Sequence, residues 1–188
     1  MNKREHILLY ANNLWYFGAG MLGPLFAVFA ERIGGDILEI SWAWATYLIV
    51  TGVLVIFVGK ISDEKISKEK LMITGFALNA LFTFGYLFVS SPLHLFIVQI
   101  GLGISNALAM PTWEALYSKY EDKKHDGYEW GLAGGEGSII SGIAIIIGGF
   151  IIGYLSFTVL FISMGIIQVI ATIYQAKIFK YPLSRKRR

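Results

Sequence analysis

The chain has 188 residues, 55% of them hydrophobic and 15% charged, with a mean hydropathy of +0.60. Soluble domains carry about 25% charged residues, so this composition excludes one. The absence of cysteine excludes disulfides and thiolate metal sites, and the net charge of +3 conceals a very uneven distribution.

The apolar runs cover 7–30, 37–59, 71–90, 93–117, 134–154 and 157–178. The first is too long for a signal peptide and lacks a small-residue cleavage site beyond it, so it is read as a retained helix. The second ends where 60–70 becomes dense in charge. Only Ser90-Ser91-Pro92 separates the third from the fourth, a turn with a helix breaker. The forty residues 137–176 carry no charged side chain. As one helix they would run roughly 60 Å, against a hydrocarbon core of about 30 Å. They therefore form two spans, with a turn placed by length near 153–157. The expected fold is all-α: a polytopic membrane protein with six transmembrane helices in one domain over 1–188.

Fifteen of the sixteen Lys and Arg residues fall on the N-terminal side of this topology, and Arg32 alone falls on the other. By the positive-inside rule that side is cytoplasmic, with both termini inside, in the cell membrane. The terminal Arg185-Lys186-Arg187-Arg188 is a topology anchor beside anionic headgroups rather than a nucleic-acid patch.

The connection between helices 2 and 3 reads Gly59-Lys60-Ile61-Ser62-Asp63-Glu64-Lys65-Ile66-Ser67-Lys68-Glu69-Lys70. A Gly at a helix end permits close backbone approach, and an Asp four residues on would suit the N-terminus of a short helix. This resembles the Gly-x-x-x-Asp-basic loop of the major facilitator superfamily. Gly59, Asp63, Lys65, Lys68 and Lys70 match it in kind, whereas Glu64 replaces a basic residue and Ile66 a second Gly. In the family this loop is a charge latch that holds one state of an alternating-access cycle. Gly20-Met21-Leu22-Gly23-Pro24-Leu25 resembles the family's kinked first helix, and Met110-Pro111-Thr112-Trp113-Glu114 its Pro-containing helix end. Gly101 and Gly103 are similar to its small-residue pair on helix 4, but Ile97 stands where proton-coupled members place an Arg. The Gly-rich fifth helix has Gly148-Gly149 in place of the Gly-Pro associated with antiporters.

The resemblance implies a fold of two three-helix repeats forming one half of the usual two-half architecture. It also implies a cavity lined by helices 1 and 4, making Asn12, Asn13, Tyr16, Gln99, Asn106 and Trp113 the candidate substrate residues. Intramembrane polar residues default to functional candidates, with interhelical hydrogen bonding as the plainer alternative. Glu114 and Glu136 are candidates for proton coupling, or else for contacts with basic loops. Glu39 is a first-turn acid of helix 2. Trp15, Trp42, Trp44, Trp113 and Trp130 read as an interfacial aromatic belt. The 119–130 stretch around His125 reads as a solvated connector.

On helix 5, Gly135, Ser138, Gly142, Gly149 and Gly153 share one face. Such faces let helices pack closely in lipid, either within the six-helix unit or against a second one. No Ser–His pair, clustered metal ligands or phosphate-cradling loop is present in the sequence, so neither an enzyme nor a cofactor or metal site is expected. The expected partners are the bilayer, a small solute, and a second six-helix half from another copy or a separate chain. The functional expectation is transport by alternating access; the alternative is a non-transporting scaffold, or the N-terminal half of a longer transporter. The neutral, aromatic cavity candidates favour an uncharged or amphipathic solute over a phosphate or dicarboxylate.

Overall fold

A computed structural model describes residues 3–64 and 66–181. Lys65 and the 185–188 basic tail lie outside the described residues. Helices α1 (Lys3–Gly20) and α2 (Leu25–Arg32) together form a candidate first span bent by 45°. The break falls at 21–24, where Gly23 adopts φ +25° and Pro24 removes a backbone donor. Then follow α3 (Ile37–Glu64), α4 (Lys68–Gly85), α5 (Pro92–Tyr120), α6 (Asp126–Tyr154) and α7 (Phe157–Ala176). Among the described residues five helices are long and apolar enough to cross a membrane, and the bent pair is a candidate sixth.

Helix starts are encoded locally. Asp36 and Glu39 cap α3 reciprocally, each accepting from the other's backbone N–H at 2.8 and 3.1 Å. Ser67, Ser91 and Ser156 cap α4, α5 and α7. Ser156 is thus the punctuation between the last two spans that helix length alone had to supply.

Two expectations about the charged segments are corrected. The 59–64 segment is not loop: α3 runs through it, placing Asp63 at a helix C-terminus rather than at the start of a short helix. The 119–130 connector shrinks to 121–125, because α5 continues to Tyr120 and α6 begins at Asp126. Charge had suggested solvated loop, but Asp126 and Glu129 occupy the first turn of α6, where acids suit the helix dipole. Glu129 also accepts the Asp122 backbone N–H at 3.0 Å, and the Tyr117 hydroxyl donates to the Glu129 carbonyl at 2.9 Å.

The helices pack as two interlocked triplets. α5 lies against α3 and α4, α1 lies against α6 and α7, and α4 meets α7 between them. With α1 and α2 counted as one, the chain falls into two consecutive triplets, and the first helix of each (α1, α5) packs mainly on the second and third helices of the other. Glycine sets the closest approaches. A Cβ on Gly75 of α4 would lie 2.6 Å from the Ala109 backbone N of α5. A Cβ on Gly148 of α6 would collide with the backbone of Met21, so α6 nests into the break of the first span. One apolar cluster, including Phe29, Tyr86, Leu160 and Phe161, fills the end of the bundle near that break. A second, including Leu8, Phe76, Leu116 and Tyr117, fills the N-terminal end.

Candidate functional site

Burial is unequal among the spans. Only 11% of the apolar stretch of α3 and 17% of that of α6 is buried, against 39%, 44% and 39% for α4, α5 and α7. Between these two exposed helices lies a cavity of about 340 Å³. α1 contributes Asn12, Trp15, Tyr16 and Ala19, which is the i, i+3, i+4, i+7 stripe of one helix face. α5 contributes Asn106, Ala109, Met110, Trp113 and Glu114, and Tyr47, Phe76 and Trp130 close the walls from α3, α4 and α6.

Trp113 is fixed by a 3.0 Å hydrogen bond from its indole Nε1 to the Leu8 carbonyl, and it stacks on Tyr117 with centroids 4.8 Å apart. The indole donor is therefore satisfied. Trp130 meets Trp113 edge-on at 6.4 Å, and Trp15 meets Phe76 at 4.7 Å. Glu114 makes no ion pair or hydrogen bond with any described residue. A second chamber of about 140 Å³ shares Trp15, Ala19 and Tyr47 with the first and continues toward the break at Gly23. There the Tyr86 hydroxyl donates to Gln99 Oε1 at 3.2 Å, while Gln99 Nε2 and Asn79 Nδ2 are buried without a partner.

Of the residues expected in a substrate cavity, Asn12, Tyr16, Asn106 and Trp113 meet in the main chamber, and Gln99 lies in the second. Asn13 does not join them. One position along α1 rotates it by about 100°, into a lateral fissure with Tyr10, Phe17 and Tyr174, where its Nδ2 donates to Glu136 at 2.6 Å. The two coupling candidates are thereby separated: Glu114 faces the cavity, and Glu136 faces the fissure. Sequence reasoning missed Tyr47, Phe76, Asn79 and Thr83 as lining residues. It offered Trp15 and Trp130 only as belt residues, and both line the cavity; for Trp15 the α1 spacing of 12, 15, 16 and 19 was the available signal.

The α3–α4 connection forms its own lock. Lys68, in the first turn of α4, pairs with Asp63 and also donates to the Ser62 carbonyl at 3.1 Å. The Lys70 backbone N–H bonds Ser67. Gly59 has open space where a Cβ would be, so the close approach expected of it is not made within this chain. On α6, Gly135, Gly142, Gly149 and Gly153 are likewise open, and Ser138 donates to the Gly134 carbonyl within its own helix. Packing among the described residues therefore does not account for this stripe. A shallow groove of Ile146, Gly149, Phe150, Gly153 and Tyr154 runs along it.

Five span-capable helices and a bent helix pair, packed around a polar-aromatic cavity, define a helical integral membrane protein. Residues 8–188 match the family profile of the Major Facilitator Superfamily, and the chain belongs to that family of membrane transporters. It is 27% identical over 173 residues to an uncharacterized MFS-type transporter of Methanocaldococcus jannaschii, covering 92% of this chain and 45% of that one. It is 18% identical to the uncharacterized MFS-type transporter YitZ of Bacillus subtilis, covering 86% of this chain and 98% of YitZ. A 101-residue stretch is 28% identical to the multidrug resistance protein MdtG of Yersinia enterocolitica, covering 24% of that protein. The chain thus spans about half the length of the archaeal relative and nearly all of the Bacillus one.

Proposed function

We infer that this six-span unit transports a small solute by alternating access together with a second six-span unit, and that a second copy of the chain can serve as that unit. The observation that carries this reading is the one-sided cavity, flanked by the two least buried helices. A solute bound there would be exposed along the open side unless another bundle covered it. α3 and α6 supply the faces for such a bundle: Gly52 and Gly59 on α3, and Gly135, Gly142, Gly149 and Gly153 on α6, have nothing within 4 Å of a built Cβ. Small residues permit close helix contact where lipid gives no hydrophobic drive to associate. YitZ, whose length this chain nearly matches, is a transporter-named relative of the same half size.

In this reading the basic connections lie in the cytoplasm, the Asp63–Lys68 pair holds the α3–α4 turn in one state of the cycle, and Asn12, Tyr16, Asn106 and Trp113 contact the solute. The bundle supplies binding and gating, with no catalytic chemistry assigned. The chain lacks cysteine, so engineered thiols report cleanly. Gly52→Cys and Gly149→Cys introduced together should cross-link between copies in nanodiscs, and the particle mass should be that of a dimer. A strictly monomeric particle, with no solute uptake in liposomes, would overturn the reading.

A further inference from the structure

Glu114 is the one charged side chain among the described residues lining the main cavity, and no Lys, Arg or His accompanies it. It has no counter-ion among the described residues. The walls around it are aromatic: Trp15, Tyr16, Tyr47, Phe76, Trp113 and Trp130. An unpaired carboxylate inside a ring of π faces has one kind of ligand that satisfies both features. Aromatic faces attract cations, and desolvation strengthens the attraction. The carboxylate adds direct charge pairing in a site of reduced dielectric. Phosphates and carboxylates would meet Glu114 with like charge, and no donor among the described cavity-lining residues carries a compensating positive charge.

We propose that this cavity selects an organic monocation, with Glu114 as counter-charge and the aromatic walls as its cage. The ligand is bulky and apolar around its charge, a quaternary ammonium or phosphonium, because Asn12 and Asn106 are the only side-chain amides on the walls. A volume of about 340 Å³ lies in the range of drug-sized pockets. This narrows the expectation of an uncharged or amphipathic solute, which was drawn without Glu114 in the cavity, to an amphipathic cation. The proposal rests on the cavity being the solute site, although cation binding is measurable whether or not transport follows.

The test is equilibrium binding of radiolabelled tetraphenylphosphonium to the full chain in nanodiscs, with empty nanodiscs subtracted. Saturable binding is expected. Glu114→Gln should weaken it at least tenfold, while Glu114→Asp keeps most of it. Neutral triphenylphosphine oxide should compete at least tenfold less well than unlabelled cation on the original chain, and the gap should close in Glu114→Gln. An unchanged size-exclusion profile shows that the variant is folded; Glu114 faces the cavity rather than the packed core, so the substitution leaves the packing intact. Absence of saturable binding, or equal affinity in Glu114→Gln, overturns the proposal. Liposome uptake separates the two readings. Cation binding without uptake sinks transport and leaves the cation site, whereas uptake of a neutral solute unaffected by Glu114→Gln sinks the cation site and leaves transport.

Discussion

Gly148→Ala isolates the contact that seats α6 in the broken first span. A built Cβ at Gly148 lies 2.9 Å from the carbonyl carbon and 3.1 Å from the Cα of Met21, and closer still to the Met21 oxygen. Ordinary contacts begin at 3.4 Å, so the carbonyl carbon alone requires a retreat of about 0.5 Å, from 2.9 to 3.4, and the oxygen requires more. All three atoms are backbone, and no rotamer change can relieve them. α6 must move outward, and buried Ala144 with its partly buried neighbours Ile147 and Ile151 moves with it. Overpacking of this kind costs about 1–3 kcal/mol. At about 2–4 °C per kcal/mol for a chain of this size, the melting temperature in detergent should fall by roughly 2–12 °C. Gly142→Ala is the internal control. Its Cβ meets nothing, and Ala is favoured over Gly in a helix by about 1 kcal/mol, so the monomer should hold or gain stability. Equal melting temperatures for Gly148→Ala and the original chain would refute the nested geometry.

Asp63→Asn should abolish solute turnover while shifting the melting temperature little, since the Asp63 side chain is 75% exposed and surface pairs contribute about 0–1 kcal/mol; a turnover equal to the original would remove the latch. Trp113→Phe removes the indole bond to the Leu8 carbonyl, which keeps its intrahelical bond, costing about 0.5–1.5 kcal/mol, which a thermal scan reads as a lower midpoint. Burying Gly149 under a larger side chain, Gly149→Leu, should leave the monomer folded and reduce the dimer fraction in nanodisc mass measurements. The Asp122 carboxyl is held below its usual 3.8 by the Lys124 backbone N–H and then by the His125 ring. Its folded value is the lower one, so its contribution to the α5–α6 turn is complete above about pH 3.8 and lost as pH falls through the folded value. An NMR titration of Asp122 should show the depressed midpoint, and Lys124→Pro, which removes that N–H, should raise it.

Hydropathy and the basic-residue bias made the spans legible, because the bilayer demands long uncharged helices whatever their neighbours are. The same signal hid the helix ends. Charge marks the edge of hydrocarbon, not the end of hydrogen bonding, so α3 runs on to Glu64 and α6 begins at Asp126. The Gly20–Pro24 punctuation showed the break but not what fills it; the partner is Gly148, far away in sequence, and only packing reveals it. The cavity was half legible. Asn12, Tyr16, Asn106 and Trp113 stood out as polar or amphipathic residues in apolar runs, but Asn13 looked equivalent to Asn12 until helix rotation separated them. Trp15 and Trp130 were not expected in the cavity, because a tryptophan near a span end is compatible with both headgroups and a cavity wall.

In a soluble protein, the bare flanks of α3 and α6 would by themselves announce an interface, since exposed apolar surface costs free energy in water. In a bilayer that argument fails, because lipid solvates Leu and Ile as well as protein does. Ile56, Phe57, Ile139 and Ile146 are therefore uninformative despite their exposure of 58–74%. The open glycines discriminate better. Each weakens its helix by about 1 kcal/mol relative to Ala, and lipid gives nothing back for the missing side chain. Gly75 and Gly148 offset that cost by close backbone contact inside the bundle. Gly52, Gly135, Gly142, Gly149 and Gly153 have no such contact with any described residue, so that cost is not offset among the described residues. In the assembly we propose, a second helix bundle approaching at glycine distance would supply the compensation and close the cavity in the same step.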